Sequence, residues 1–279
     1  MRASLAAVPL FAAILLAAPA ASQDTPRAMP VAQTVPDPQD TPWPGGTITL
    51  DIDATDTQRG LYRVTQIIPV APGTRRLTLL YPEWLPGNHG PRGPLAQLVD
   101  LRFMAGGKAL SWRRDPVEVY AFHIDLPEGT HDVTASFIHT SPLQPSEGRV
   151  TMTPEMLNLQ WEKMSLYPAG HYVRRIRVEP QVRFPAGWTA AAALDGAKAS
   201  GNRMSWAETD YETLVDSPVF AGRHFRQWDL GNNATMSAVA DTADLLAAPD
   251  AGIAKVKALV DESLLLFGRP PSEERRTTY

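Results

Sequence analysis

Short runs of β-branched and aromatic residues, separated by clusters of Gly, Pro, Asn and Asp, constrain the fold of this chain most. The clearest run, Leu61 to Ile68, alternates so that Tyr62, Val64, Gln66 and Ile68 share one face of a strand. The 26 prolines agree with this pattern, because proline is poorly tolerated inside helices. The sequence therefore predicts a mainly β fold, an antiparallel β-sandwich or saddle-like sheet domain.

Similar runs recur along the chain and predict further strands. In chain order they are Arg76 to Tyr81, Leu98 to Met104, Val117 to Ile124, Asp132 to His139, Arg174 to Phe184 and His224 to Leu230. Turn-forming residues separate them at short spacings, as expected for antiparallel sheets.

A single clear helix is predicted late in the chain. Its apolar residues recur at three- and four-residue steps from Ile253 to Phe267. We expect Asp250 to cap its start and Gly268 to end it. The apolar stripe must be buried against something, either the preceding sheet or a domain outside this chain.

The first twenty residues have the layout of a secretory signal peptide. Arg2 precedes an uncharged apolar run from Leu5 to Ala18, and Ala18-Pro19-Ala20 provides a small-x-small cleavage pattern. The alternative is an anchor that is never cleaved. We expect cleavage, a periplasmic or secreted protein, and no stable membrane anchor after the signal is removed.

Several kinds of chemistry lack support in the sequence. The chain has no cysteine, which rules out disulfides and thiol nucleophiles within it, and its net charge of −4 without a basic patch argues against a nucleic-acid partner. No His-Glu-x-x-His, Gly-x-Ser-x-Gly or Walker motif occurs.

The histidines also fail to suggest a metal site. His123, His131 and His139 are evenly spaced, but His131 and His139 on one strand would lie about 26 Å apart. Polar positions on strand faces are the simpler interpretation. We therefore assign no catalytic residue and no metal ligand in this chain, and leave the substrate-binding residues unknown.

Two loop segments are candidates for function. In the segment that begins at Trp84, the aromatic ring either lines a binding surface or packs under a tight Pro-Gly turn, and packing is the simpler interpretation. Asp216 and Ser217 precede Pro218 in a segment that we expect to join two β layers; a catalytic role for either residue is the alternative.

These segments carry a resemblance to the glycyl-aminopeptidase family of zinc metallopeptidases, peptidase family sixty-one. The four stretches that resemble its amino-terminal portion are Tyr81 to Gly87, Leu157 to Trp161 leading to Tyr167 to Gly170, Tyr211 to Gly222, and Phe267 to Pro271. The resemblance implies a β-rich amino-terminal domain next to a thermolysin-like catalytic domain, usually with a PDZ domain.

The resemblance also implies a zinc-dependent activity on peptides with small amino-terminal residues. In the family, a His-Glu-x-x-His helix and a downstream Glu hold zinc, and the motif's Glu acts on a zinc-bound water. Nothing in this chain matches those ligands, so we expect no cofactor here and zinc only in a full-length protein.

The expected organisation follows from these patterns. It consists of a signal peptide over 1–20, a Pro-rich flexible lead-in over 21–46, a β-rich amino-terminal peptidase-family domain over 47–222, and the truncated start of an α+β catalytic domain over 223–279. Whether the chain is itself an enzyme stays open.

Three functions remain in competition. The first is a substrate-flanking aminopeptidase domain that is inactive alone. The second is a standalone cell-envelope binding module for peptide or carbohydrate. The third, and weakest, is a zinc enzyme whose ligands follow no recognised motif.

Overall fold

The computed structural model describes residues 32–85, 89–91, 93–269 and 277–278. The predicted signal peptide lies outside the described residues. The chain divides into two compact units, Met1–Gln33 and Thr34–Tyr279. Only residues 32 and 33 of the first unit are described, and the second unit contains the fold.

Strands dominate the described residues, as the sequence predicts. They are β1 (Ile48–Asp56), β2 (Leu61–Pro69), β3 (Arg76–Leu80), β4 (Leu98–Ala105), β5 (Lys108–Ala109), β6 (Trp112–Arg114), β7 (Ala121–Asp125), β8 (Asp132–Thr140), β9 (Met156–Leu159), β10 (Tyr167–Pro168), β11 (Arg177–Arg183), β12 (Thr189–Ala191), β13 (Lys198–Ser200), β14 (Arg203–Ser205), β15 (Thr209–Asp210), β16 (Val219–Gly222), β17 (His224–Gly231), β18 (Ala234–Ala240) and β19 (Thr277–Thr278).

Helices are few in the same part of the chain. The α-helices are α1 (Tyr211–Val215) and α2 (Asp250–Phe267), and the 3-10 helices are Leu95–Gln97, Pro145–Glu147, Trp161–Lys163, Val173–Arg175 and Ala243–Leu246. The prediction of a mainly β fold with one long helix near the end is confirmed.

The strands form four sheets within the described residues. The largest has the order β13-β14-β11-β1-β2-β8-β4-β5, with β15 paired to β11. The others have the orders β10-β3-β7-β6, β12-β16-β9 and β17-β18-β19. Most pairs are antiparallel, but β1 runs parallel to β11, so a long connection joins those two strands.

One hydrophobic core lies between the largest sheet and the sheet that contains β3 and β7. On β2, Tyr62, Val64 and Ile68 are buried, while the residues between them point outward and are more exposed. Leu79 of β3 and Phe122 of β7 belong to the same core cluster. The face predicted from the alternation of β2 is therefore confirmed, and the two sheets pack as a sandwich.

Three predicted boundaries differ from the structure. The strand expected from Arg174 begins only at Arg177, because the 3-10 helix Val173–Arg175 precedes it. The strand expected from Val117 begins only at Ala121, because Asp115 accepts hydrogen bonds from the backbone N–H groups of Val117 and Glu118, both at 2.9 Å, and closes a turn there. Asp250 was expected to cap α2, but it is the first helical residue.

The cap of α2 is Pro249, which makes no side-chain hydrogen bond to the helix. Gly268 ends the helix in the left-handed conformation (φ 74°), as predicted.

The described part of the proline-rich segment 21–46 forms hydrogen bonds with the β domain. The backbone N–H of Gln39 donates to the carbonyl of Gly170 at 3.0 Å. The indole N–H of Trp43 donates to the carbonyl of Pro69, also at 3.0 Å. These bonds hold the segment against the β domain, which its composition does not indicate.

No helix among the residues described here combines the length and the apolar character that a membrane span requires.

Candidate functional site

An open groove of about 910 Å³ lies where three of the four family-like segments meet. The residues of those segments that line it are Pro82, Trp84, Leu85, Gln160, Tyr167, Tyr211, Asp216 and Pro218. The volume of the groove and its mixture of aromatic and polar lining residues are typical of a ligand-binding site. The fourth segment, which follows α2, does not line it and lies partly outside the described residues.

Buried aromatic residues fix the segments to one another beneath the groove. The indole N–H of Trp161, which is fully buried, donates to the carbonyl of Ser217 at 2.8 Å. The hydroxyl of Tyr81 donates to the carbonyl of Lys163 at 3.1 Å. The first bond links the second family-like segment to the third, and the second bond links it to the first. Each bond gives a backbone carbonyl a donor, and such bonds are costly to lose away from water.

A buried glutamine positions the aromatic wall. The side chain of Gln66 donates to the carbonyl of Leu166 at 2.7 Å and accepts from its N–H at 2.9 Å. The next residue, Tyr167, packs its ring against that of Tyr211 with 5.1 Å between centroids. Ser165 and Tyr211 share a hydroxyl hydrogen bond of 2.7 Å, so the wall is anchored in the core.

Helix α1 also lines the groove. Asp210 caps it, since its carboxylate accepts from the N–H and the hydroxyl of Thr213, both at 2.8 Å. Asp216 follows the last turn and is exposed. The short helix therefore presents Glu212 and Asp216 toward solvent at the groove.

Trp84 lies at the groove with 60% of its surface exposed. The expectation that it packs under a turn is therefore wrong, and the alternative that it lines a surface describes its position. Pro86, Gly87 and Asn88 lie outside the described residues.

Asp216 and Ser217 occupy different environments. Ser217 is buried, and its carbonyl serves as the acceptor for Trp161. Asp216 is exposed at the groove. The segment connects α1, which follows β15 of the largest sheet, to β16 of a different sheet, so it joins two β layers as the sequence predicts.

A buried carboxylate, Glu162, is the functional candidate that the sequence did not reveal. It lines the groove with only 7% of its surface exposed. Burial raises its pKa, while a hydrogen bond from its own backbone N–H and the positive charges of Lys163 and Arg149 oppose that shift. One feature of the sequence could have revealed Glu162. Its carboxylate stands directly after Trp161 and two residues before Met164, and both of these apolar residues belong to the core.

Further carboxylates add negative charge beside the groove. Burial raises the pKa of Glu83, the nearby Glu118 raises it further, and a hydrogen bond from Trp84 opposes the shift. Burial also raises the pKa of Tyr167 to about 12, with Glu83 and Glu118 contributing. This part of the surface therefore favours a cation over an anion.

Arg174 is the cation in the lining of the groove, and it shares the carboxylate of Asp40 with Arg175, which lies closer at 2.7 Å. The ion pair of Arg174 with Asp40 measures 3.3 Å. The guanidinium also lies over the ring of Tyr172, 4.5 Å from its centroid.

The evenly spaced histidines lie in different environments. His123 is held by Asp115 at 2.8 Å and by Thr78 at 3.0 Å, and His139 is buried in the core. Across the described ranges, no group of three or more His, Cys, Asp or Glu residues could hold a metal ion. These residues therefore do not form a zinc site.

Comparison with known families identifies the β-rich region. The family described as Peptidase M61 N-terminal domain matches residues 49–223, more than half of the chain. This chain belongs to that peptidase family. The M61 N-terminal domain thus includes every strand from β2 to β16 and the whole groove.

Solved structures are similar to this chain, and the first one described next shares the fold of the M61 N-terminal domain. An aminopeptidase N family protein from Idiomarina loihiensis is 16% identical with a TM-score of 0.63, over 84% of this chain and 38% of that one. An M1 zinc metallopeptidase from Deinococcus radiodurans is 13% identical with a TM-score of 0.44, over 88% of this chain and 56% of that one.

The chain therefore spans 38% of the length of the Idiomarina structure, and that similarity establishes the fold alone. No curated protein matches the chain.

Proposed function

We propose that this chain is the amino-terminal, substrate-flanking domain of an exported zinc aminopeptidase that acts on peptides with small amino-terminal residues, such as Gly or Ala. The family match to a peptidase N-terminal domain supports the peptidase association. The observation that carries the proposal is the convergence of three family-like segments on one groove that is large enough for a peptide.

In this proposal, zinc belongs to a catalytic part that the described residues do not supply, because they contain no suitable cluster of ligands. The domain beside it binds and orients peptide. The glycyl-aminopeptidase preference and the PDZ domain belong to the same proposal and rest on the resemblance of the four segments.

Helix α2 offers a surface for such a catalytic part. The predicted stripe is half-buried from Ile253 to Leu264, whereas Leu259, Leu265, Leu266 and Phe267 are each at least 65% exposed. Contact with a further domain would cover them.

The first experiment is to read the DNA that follows the coding sequence in all frames. We expect a His-Glu-x-x-His motif there, followed by a further Glu. Its absence would remove the main support for a zinc peptidase.

The second experiment measures hydrolysis of glycyl, alanyl, leucyl and arginyl p-nitroanilides by the protein encoded by the complete reading frame. We expect the glycyl and alanyl substrates to be cleaved fastest, and a zinc chelator to abolish the activity. Equal rates on all four substrates would contradict the small-residue preference. Mature protein recovered from the periplasm or medium should begin after Ala20, and retention in the cytoplasm would contradict export.

A standalone cell-envelope module that binds peptide or carbohydrate is the second candidate. The 60% exposure of Trp84 at the groove favours it, since exposed aromatic rings stack on sugars and peptides. Saturable glycan binding that Trp84→Ala weakens, together with no downstream zinc motif, would favour this function over the first.

A further inference from the structure

The groove carries negative charge that the described part of the protein leaves unpaired. Glu162, Glu212 and Asp216 line it, and none of them forms an ion pair with a residue that the structure describes. The positive lining residue, Arg174, is already paired with Asp40 at 3.3 Å. Asp40 is shared with Arg175, whose Nε lies closer at 2.7 Å, but the carboxylates that line the groove still outnumber its one lining arginine, so the groove is an acidic depression.

Glu162 distinguishes this groove from an ordinary acidic surface. Only 7% of the surface of Glu162 is exposed, and its carboxylate accepts a hydrogen bond from its own backbone N–H, with the positive charges of Lys163 and Arg149 acting on it from beyond ion-pair distance. A buried carboxylate is expensive unless a cation or several donors face it. Lys163 and Arg149 attract this carboxylate, but neither forms an ion pair with it among the described residues, so the direct ion-pair position is open to a cation from a ligand.

An aromatic ring of the groove is placed to receive such a cation. Trp84 is 60% exposed and Tyr172 is 40% exposed. The guanidinium of Arg174 already covers Tyr172, 4.5 Å from its centroid, so the exposed ring of Trp84 is the one left open to a ligand cation.

The size of the groove suits an extended side chain. Its volume of about 910 Å³ exceeds what a hydrated metal ion needs and is within the range of sites for peptide-sized ligands. The described residues also lack a cluster of three metal-binding side chains. A charged organic group therefore fits better than a bare cation.

We infer that the groove binds a basic side chain, lysine or arginine, of a peptide, with the cationic head at Glu162 and the aliphatic stem against Trp84 and Tyr167. Glu212 and Asp216 at the rim attract the peptide. This inference rests on the proposed function only in that the ligand is a peptide. It adds a second contact, to a basic residue, to the preference for a small first residue.

Isothermal titration calorimetry on the full chain tests this inference with two matched probes. One is an acetylated and amidated Gly-Lys-Gly-Lys-Gly peptide, and the other has norleucine in place of each lysine, which keeps the stem and removes the charge. We expect saturable binding of the lysine peptide, weakened about tenfold or more by norleucine. Added salt should weaken binding of the lysine peptide alone. A Gly-Arg-Gly-Arg-Gly peptide separates guanidinium from ammonium.

Variants locate the binding. Glu162→Gln should weaken binding of the lysine peptide about tenfold, and the rim variant Glu212→Gln/Asp216→Asn should weaken it severalfold. Glu179→Gln, at an exposed position of β11 outside the groove, is the matched control and should leave the affinity unchanged. If Glu162→Gln fails to melt cooperatively, the exposed rim variant decides the question.

Equal affinity for the lysine and norleucine peptides would overturn the inference. Failure of the lysine peptide to bind would also overturn it, and so would an affinity for that peptide that none of the groove variants changes. If neutral Gly- and Ala-initiated peptides are still hydrolysed by the protein of the complete reading frame, only the basic contact fails and the proposed function stands. Loss of both would count against the peptidase function itself.

Discussion

The buried imidazole of His139 should make the protein lose stability on mild acidification. His139 lies on β8 with 1% of its surface exposed, against the ring of Tyr62 at 6.2 Å between centroids. Its Nδ1 has no hydrogen-bond partner among the described residues. Burial lowers its pKa from 6.5 to about 3, and the positive charge of Lys163 contributes to the shift.

The sign of the effect follows from which state binds the proton. Below pH 6.5 the unfolded chain protonates this histidine while the folded protein does not, down to about pH 3. The contribution of His139 to stability is therefore complete above pH 6.5 and is lost as the pH falls from 6.5 toward about 3. Each pH unit costs about 1.4 kcal/mol, so about 3 kcal/mol is lost by about pH 4.5.

Urea denaturation at about pH 7.5 and about pH 4.5 measures this loss for the wild type and for His139→Leu. Leucine fills the site without a titrating group or an unsatisfied nitrogen. Other groups lose stability on acidification as well, including Asp115, whose pKa is lowered chiefly by the hydrogen bonds from Thr34 and His123. Those losses are common to both proteins and cancel in the difference.

We expect His139→Leu to lose about 3 kcal/mol less than the wild type between the two pH values. His131→Gln, at an exposed position just before the same strand, is the control and should retain the pH response of the wild type. If His139→Leu and the wild type lose the same free energy on acidification, the reasoning from burial is refuted.

Two further predictions concern the framework of the groove. Gln66→Met should lower the free energy of unfolding by about 2–4 kcal/mol, because it leaves the N–H and the carbonyl of Leu166 buried without partners. Urea denaturation measures this loss. A loss below about 0.5 kcal/mol would contradict the role assigned to Gln66. Asp210→Ala should cost about 1 kcal/mol through loss of the cap on Thr213, whereas Asp210→Asn should retain most of it; equal losses for the two variants in thermal denaturation would argue against capping.

Much of the local structure could be predicted from the sequence, because side-chain alternation along a strand reports which face is buried. The run from Leu61 to Ile68 shows this, and its buried face is confirmed in β2. The same signal was present for His139, which alternates with Val133, Ala135 and Phe137 on the core face of β8. We interpreted it as a polar position on a strand face, but the alternation places it in the core.

The candidate site could be predicted only in part. The sequence singled out the segments at Trp84 and Asp216, but it did not show that they line one groove or that Glu162 lines it with them. It also favoured a packed Trp84, because a local Pro-Gly turn fits a buried ring as well as an exposed one.

The sequence by itself determined the β class, the strand faces and the end of α2 at Gly268, since each depends on residues within a few positions of one another. Only the tertiary structure decided the parallel pairing of β1 with β11 and the meeting of three distant segments at the groove. Those contacts join parts of the chain far apart in sequence. Their partners are selected by the shared burial of side chains such as Trp161 and Gln66, which no local pattern specifies.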